Sequence, residues 1–243
     1  MRFQNLIGVL ALATLLGADA AGAQGLGQSA FDQSKYPDWK GQWRDMLPPG
    51  VGGQSVRFDQ TKPFGRGQEA PLTEEYQKVH EASMADQAEG GLGNWPGWTC
   101  SPNGMPRMMA VAEFEYIIAP DTTYILIGSD QRYYRRIFTD GRPWPAEIEP
   151  THAGYSIGHW IDEDGSGRFN LLEVETRGPF KGPRAYDATG LPLAFDNQSI
   201  FKERFYLDKS DPSILHDMIT LNGSSLAARC RREHAGTPFR KSR

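Results

Sequence analysis

The 243-residue sequence holds only two cysteines, Cys100 and Cys230, and neither has a CxxC or CxxH neighbour, which excludes a zinc ribbon or a many-bridged miniprotein. Charge of one sign is equally scarce. The balance of 26 Lys and Arg against 30 Asp and Glu leaves a net charge of -4, with no basic excess of the kind nucleic acid requires. Long apolar runs are lacking beyond the first residues, so a multi-pass helical membrane protein is excluded. P-loops, dinucleotide fingerprints and HExxH are absent, which removes the commonest nucleotide and zinc-hydrolase chemistries.

What is present begins with an address. Arg2 precedes thirteen residues from Leu6 to Ala18 that are mostly apolar, too short to span a bilayer, followed by the small residues Ala21-Gly22-Ala23. Residues 1–23 are therefore expected to be a signal peptide cleaved near Ala23, giving a periplasmic or secreted product with no transmembrane anchor. An oxidising compartment makes Cys100 and Cys230 a disulfide candidate, closing a loop of about 130 residues for roughly 4–5 kcal/mol.

Residues 24–104 read as an N-terminal arm. It carries one helix between Pro71 and Glu89, with Thr73 at its start and Gly90-Gly91 at its end, and then a loop containing Trp95 and Trp98. From residue 105 to 228 the period changes to two. Glu113–Ile118, Thr122–Ile127, Tyr133–Phe138, Tyr155–Ile161, Phe169–Thr176, Ile200–Leu207 and Ile214–Leu221 are β-branched and aromatic, and Gly, Pro, Asp and Asn supply turns. Trp43 or Leu226–Arg231 is placed to add an eighth strand. The expected fold is mostly β: an antiparallel up-and-down meander closing into a barrel, with one helix and the arm. Residues 229–243, with six Lys and Arg, read as a basic tail able to touch an anionic envelope surface.

Two resemblances follow. Gly41-Gln42-Trp43 resembles the Gly-x-Trp entry of lipocalins, in which the Trp closes one end of the barrel. Met105-Pro106-Arg107, Phe138-Thr139-Asp140-Gly141-Arg142-Pro143, Gly154-Tyr155-Ser156-Ile157-Gly158-His159-Trp160, Glu203-Arg204-Phe205 and Ile219-Thr220, in that order, resemble a large family of secreted bacterial proteins. That resemblance covers residues 100–226 and implies secretion, with no catalytic assignment. The chain departs from it by an expanded acidic turn, Asp162 to Phe169.

That turn matches the calcium-loop template in Asp162, Asp164, Ser166, Gly167 and Glu173. Its flanks alternate as strands. With the hairpin centred on Ser166, Glu173 lies about 10 Å beyond reach. An acidic hairpin turn is favoured; a weak Ca²⁺ site on Asp162, Asp164 and Ser166 is the alternative, and no other cofactor is expected. The same centring sets His159 opposite Glu173, with Tyr155 on that face, as a candidate acid/base group, against the plainer reading of an exposed cross-strand pair. Arg204 and Tyr206 share a face with Lys202. Trp43, Tyr124, Trp160 and Arg204 are the candidate ligand contacts. Binding of a small apolar or aromatic molecule is the first functional expectation. A cofactor-independent lyase, isomerase or hydrolase using His159, and an envelope interaction module, are the alternatives. The oligomeric state is left open.

Overall fold

A computed structural model describes residues 31–45, 73–91, 102, 104–109, 113–128, 133–181, 196–222 and 237–242. The expected leader, both cysteines, Trp95 and Trp98 lie outside the described residues. Among the described residues, nine strands form one closed barrel: β1 (Gln42–Asp45), β2 (Phe114–Ile118), β3 (Thr122–Ile127), β4 (Tyr133–Phe138), β5 (Tyr155–Ile161), β6 (Leu171–Arg177), β7 (Ile200–Leu207), β8 (Ile214–Asn222) and β9 (Thr237–Lys241). The helix α1 (Glu74–Ala88) starts on acidic residues and carries a Lys78–Glu74 pair one turn apart. It ends where Gly90 takes a positive φ of 86°.

Each strand pairs with its sequence neighbour, and β9 closes the ring on β1. All these contacts are antiparallel except β4 with β5, which is parallel. A closed ring with an odd number of strands cannot alternate direction throughout, so one like-directed pair is obligatory. It falls where residues 139–154 carry the chain across between β4 and β5, the kind of long connection a parallel pair needs. The architecture is thus the expected barrel with one departure from a pure up-and-down meander.

Two strands come from segments without periodicity. Trp43 joins through β1, opposite Phe114. The second corrects the basic tail: Thr237–Lys241 is a strand paired to β8 and β1, and Phe239 is fully buried. Lys241 lies 3.4 Å from Asp38 and Arg240 3.9 Å from Asp211, so these two cations face the protein's own carboxylates. A single buried Phe outweighs the charge of its neighbours because strand alternation sends Arg240 outward while Phe239 enters the core.

Period two sorts the side chains. Trp43, Phe114, Ile125, Ile137, Leu172, Phe201, Phe205, Leu215 and Phe239 are all buried within one apolar cluster. Trp39, just before β1, packs its ring on Tyr116 and Trp160 at 5.2 and 4.9 Å, and its carbonyl accepts the Trp43 indole N–H at 2.9 Å. Gly158 is the inward residue of β5 between Ser156 and Trp160, where a Cβ would sit 2.7 Å from Ile137 Cγ2. Its missing side chain lets β4 and β5 approach in the parallel pair.

Candidate functional site

Two places concentrate polar chemistry, one outside the barrel and one inside. The outer one lies on the sheet β5–β8. His159 pairs in register with Glu173, Glu173 with Arg204, and Arg204 with Met218; one step along, Ile157, Glu175, Lys202 and Thr220 make the next row. Alternation sends all eight outward. Trp144, from the β4–β5 connection, and Tyr206 add aromatic rings, and together they line a groove of about 710 Å³. Ile157 is only 5% exposed despite facing out and forms its apolar floor.

Charge in the groove is interleaved. Arg204 Nε lies 3.2 Å from Glu173, and Arg204 Nη2 lies 2.7 Å from Glu163 of the acidic turn. Lys202 lies 3.5 Å from Glu175, which also holds Arg177, whose guanidinium rests 4.1 Å above the Trp144 ring. These side chains are a quarter to a half exposed or more, so the pairs are individually weak and can re-partner with a bound molecule.

The inner place is a buried polar layer. Arg135 on β4 donates to Glu203 on β7 at 2.7 Å, to Thr176 on β6 at 2.7 Å and to Ser156 on β5 at 3.3 Å. Ser156 and Thr176 hydroxyls are 2.8 Å apart. Both charged side chains are fully buried. Burial works against the Arg135 charge, but Glu203 outweighs it and holds the guanidinium protonated. Asp217 on β8 is buried too. Desolvation first, then repulsion from Glu203, pushes its carboxyl well above the usual carboxylate range, with Arg135 only partly offsetting them.

The sequence candidates are placed as follows. His159 and Glu173 face each other as expected, on the exposed outer face, yet Glu173 is engaged by Arg204 and no hydrogen bond joins it to His159 among the described residues. Tyr155 shares their face but packs against Phe138 and Trp144 at 5.0 and 5.9 Å, outside the groove lining. The three do not converge on one enclosed cavity. Trp43 is fully buried and Trp160 is partly buried against the core cluster, its indole N–H 3.3 Å from Thr123 Oγ1. Tyr124 lies across the barrel wall on β3, beside Tyr134 at 6.2 Å, and of the four ligand candidates only Arg204 lines the groove.

In the acidic turn, Asp162 accepts the backbone N–H of Ser166 at 2.9 Å and of Gly167 at 2.8 Å, and Asp164 accepts Ser166 N–H at 3.1 Å. The Ser166 contacts hold the Asp164 carboxyl below its usual range. These are the bonds of a self-capped hairpin turn, and Glu173 lines the outer groove, paired with Arg204.

Sequence reading missed the inner layer entirely. Its signal was a charge in phase with apolar neighbours: Arg135 with Ile137, Glu203 between Phe201 and Phe205, Asp217 between Leu215 and Ile219. It also passed over Gly154-Tyr155-Ser156-Ile157-Gly158, which matches the Gly-x-Ser-x-Gly pattern of serine hydrolases. Ser156 is mid-strand, 1% exposed and bonded to Arg135 and Thr176, so it is no nucleophile on a strand-to-helix elbow. Gly154 serves the fold: at φ +71° a Cβ there would lie 2.5 Å from Phe180. Compared with models of known protein families and with curated proteins, the chain matches none.

Proposed function

We propose that the protein is a secreted or periplasmic small-molecule-binding barrel whose ligand lies in the outer groove over β5–β8. The observation that carries this reading is the coincidence, in about 710 Å³, of an apolar floor, two aromatic walls and weakly paired charges of both signs. Sites for small molecules have that size and that mixture of apolar surface with a few polar anchors. The interior, where an apolar guest was first expected, is packed with Trp39, Trp43, Phe114, Phe205 and Phe239. The ligand class therefore becomes a small polar or zwitterionic molecule with an aromatic or aliphatic part. Its charged ends exchange with the Arg204–Glu173 and Lys202–Glu175 pairs, and its apolar part rests on Ile157 and Met218. Secretion is supported by Arg2, the Leu6–Ala18 run and the Ala21–Ala23 segment. Charges across the outer face of β5–β8 also make that wall unsuited to lipid.

The test is purification under native conditions with mass spectrometry of what is released on denaturation, followed by a thermal-shift screen with the released compound. The expected result is a polar compound that raises Tm in the wild type and has lost at least tenfold in affinity in the Lys202→Ala, Arg204→Ala double variant. A compound bound with equal affinity by both proteins overturns this placement.

A further inference from the structure

Five buried side-chain polar atoms have no hydrogen-bond partner among the described residues; apart from Ser242 Oγ they belong to neighbouring side chains, namely the two Asp217 carboxyl oxygens, the Tyr116 hydroxyl and the Trp39 indole nitrogen. The three residues are 1%, 5% and 1% exposed. Trp39 and Tyr116 rings meet edge to face at 5.2 Å, both flank Phe205 at 6.4 and 6.2 Å, and Phe205 is the register partner of Asp217. Among nearby charges Asp217 acts most strongly on the Tyr116 hydroxyl, yet the two do not hydrogen-bond. Both lie beside Phe205 without hydrogen-bonding each other.

Buried groups in native proteins are almost always paired with protein or with an enclosed molecule, and a lone orphan is tolerated where a cluster is not. We propose that the barrel interior encloses a small uncharged hydroxylic guest, water or the hydroxyl of a small organic molecule, bridging the Asp217 carboxyl and the Tyr116 hydroxyl beside the Trp39 indole N–H. The guest is uncharged because Arg135 and Glu203 already neutralise each other. An added anion meets Glu203, and an added cation meets Arg135, without water to screen either. A hydroxyl supplies one donor and two acceptor positions, which matches an acid, a phenol and an indole N–H. Trp39 and Tyr116 also line a surface concavity of about 210 Å³ with Gln33, Pro37 and Lys40, so the guest exchanges with solvent past this pair. The site is separate from the outer groove and does not depend on it.

Tyr116→Phe tests the proposal with the loss of one oxygen and no change of shape. With a bridging guest the variant loses a made hydrogen bond, and Tm falls by about 2–4 °C, the shift of one ordinary hydrogen bond in a domain of this size. Without a guest the variant removes a lone buried hydroxyl, and Tm stays level or rises. Magnetisation transfer from water to the Trp39 indole N–H identifies water as the guest; an organic compound released on denaturation of the wild type, and absent from Tyr116→Phe, identifies the other source. A lowered Tm with either signal supports the proposal. A level or raised Tm, or neither signal, overturns it.

Discussion

Arg135 and Glu203 face each other across the barrel interior, the guanidinium Nη1 2.7 Å from the carboxylate, although β4 and β7 are separated by two strands in the wall. Burying an ion pair costs several kcal/mol per ion, and the pair survives because Ser156 and Thr176 take up further guanidinium donors. Removing one member strands the other. Arg135→Met is expected to lower stability by about 3–5 kcal/mol in urea titration, and the double change Arg135→Met, Glu203→Leu to recover most of that loss. A double variant no more stable than the single one would show that the pair also orders the strands around it.

The parallel contact between β4 and β5 depends on Gly158. An added methyl meets Ile137 Cγ2 at 2.7 Å and Leu172 Cδ1 at 3.1 Å. Overpacking of this kind costs about 1–3 kcal/mol, so Gly158→Ala should shift the urea midpoint down accordingly. Combining it with Ile137→Ala should give less than the sum of the two losses, by roughly 0.5–3 kcal/mol, because the clash and the cavity fill one space.

Asp217 sets a pH dependence of opposite sign to ordinary acid denaturation. In the folded barrel its carboxyl keeps a proton that an unfolded chain releases near 3.8. Above that value the folded state holds more protons, so this contribution is fully present below 3.8 and is lost as the pH rises through the folded-state value. The groups around it are Glu203, Arg135 and Tyr116. Asp217→Asn removes the dependence. Urea midpoints measured from pH about 4 to about 8 should therefore move in favour of the variant as the pH increases. Surface carboxylates such as Asp140, held at about 2 by Arg142, act the other way at low pH and cancel in the comparison.

The groove charges belong to recognition more than to folding. Arg204 is about half exposed and shared between Glu163 and Glu173, so Arg204→Ala should change stability by no more than about 0.5 kcal/mol. A larger loss in thermal or urea melting would assign the residue to holding the acidic turn against the sheet.

Seven strands were legible because each alternates apolar and polar residues and is bounded by turn formers. Tyr133–Phe138 and Ile200–Leu207 run where that alternation placed them. The register of β5 on β6, with His159 against Glu173 and Trp160 against Leu172, was legible too, since a short hairpin leaves one centre for the turn. Trp43 was legible only as one of two candidates for an eighth strand, and Phe239 was not legible as a strand residue at all. Their segments are short, and what holds each is a partner strand far away in sequence.

The sequence by itself determined the strand-rich class, the two-residue alternation of seven strands and the helix ending at Gly90, all consequences of local periodicity and turn chemistry; which face of each strand turns inward was left to the closed barrel. Only the tertiary structure decided that nine strands close the ring, that one pair must therefore run parallel, and that Arg135, Glu203 and Asp217 meet inside. A charge on an apolar face reads as an anomaly within one strand. It becomes a paired and buried group only when closure brings the opposite charge from another strand across the core, and no window along the chain contains both.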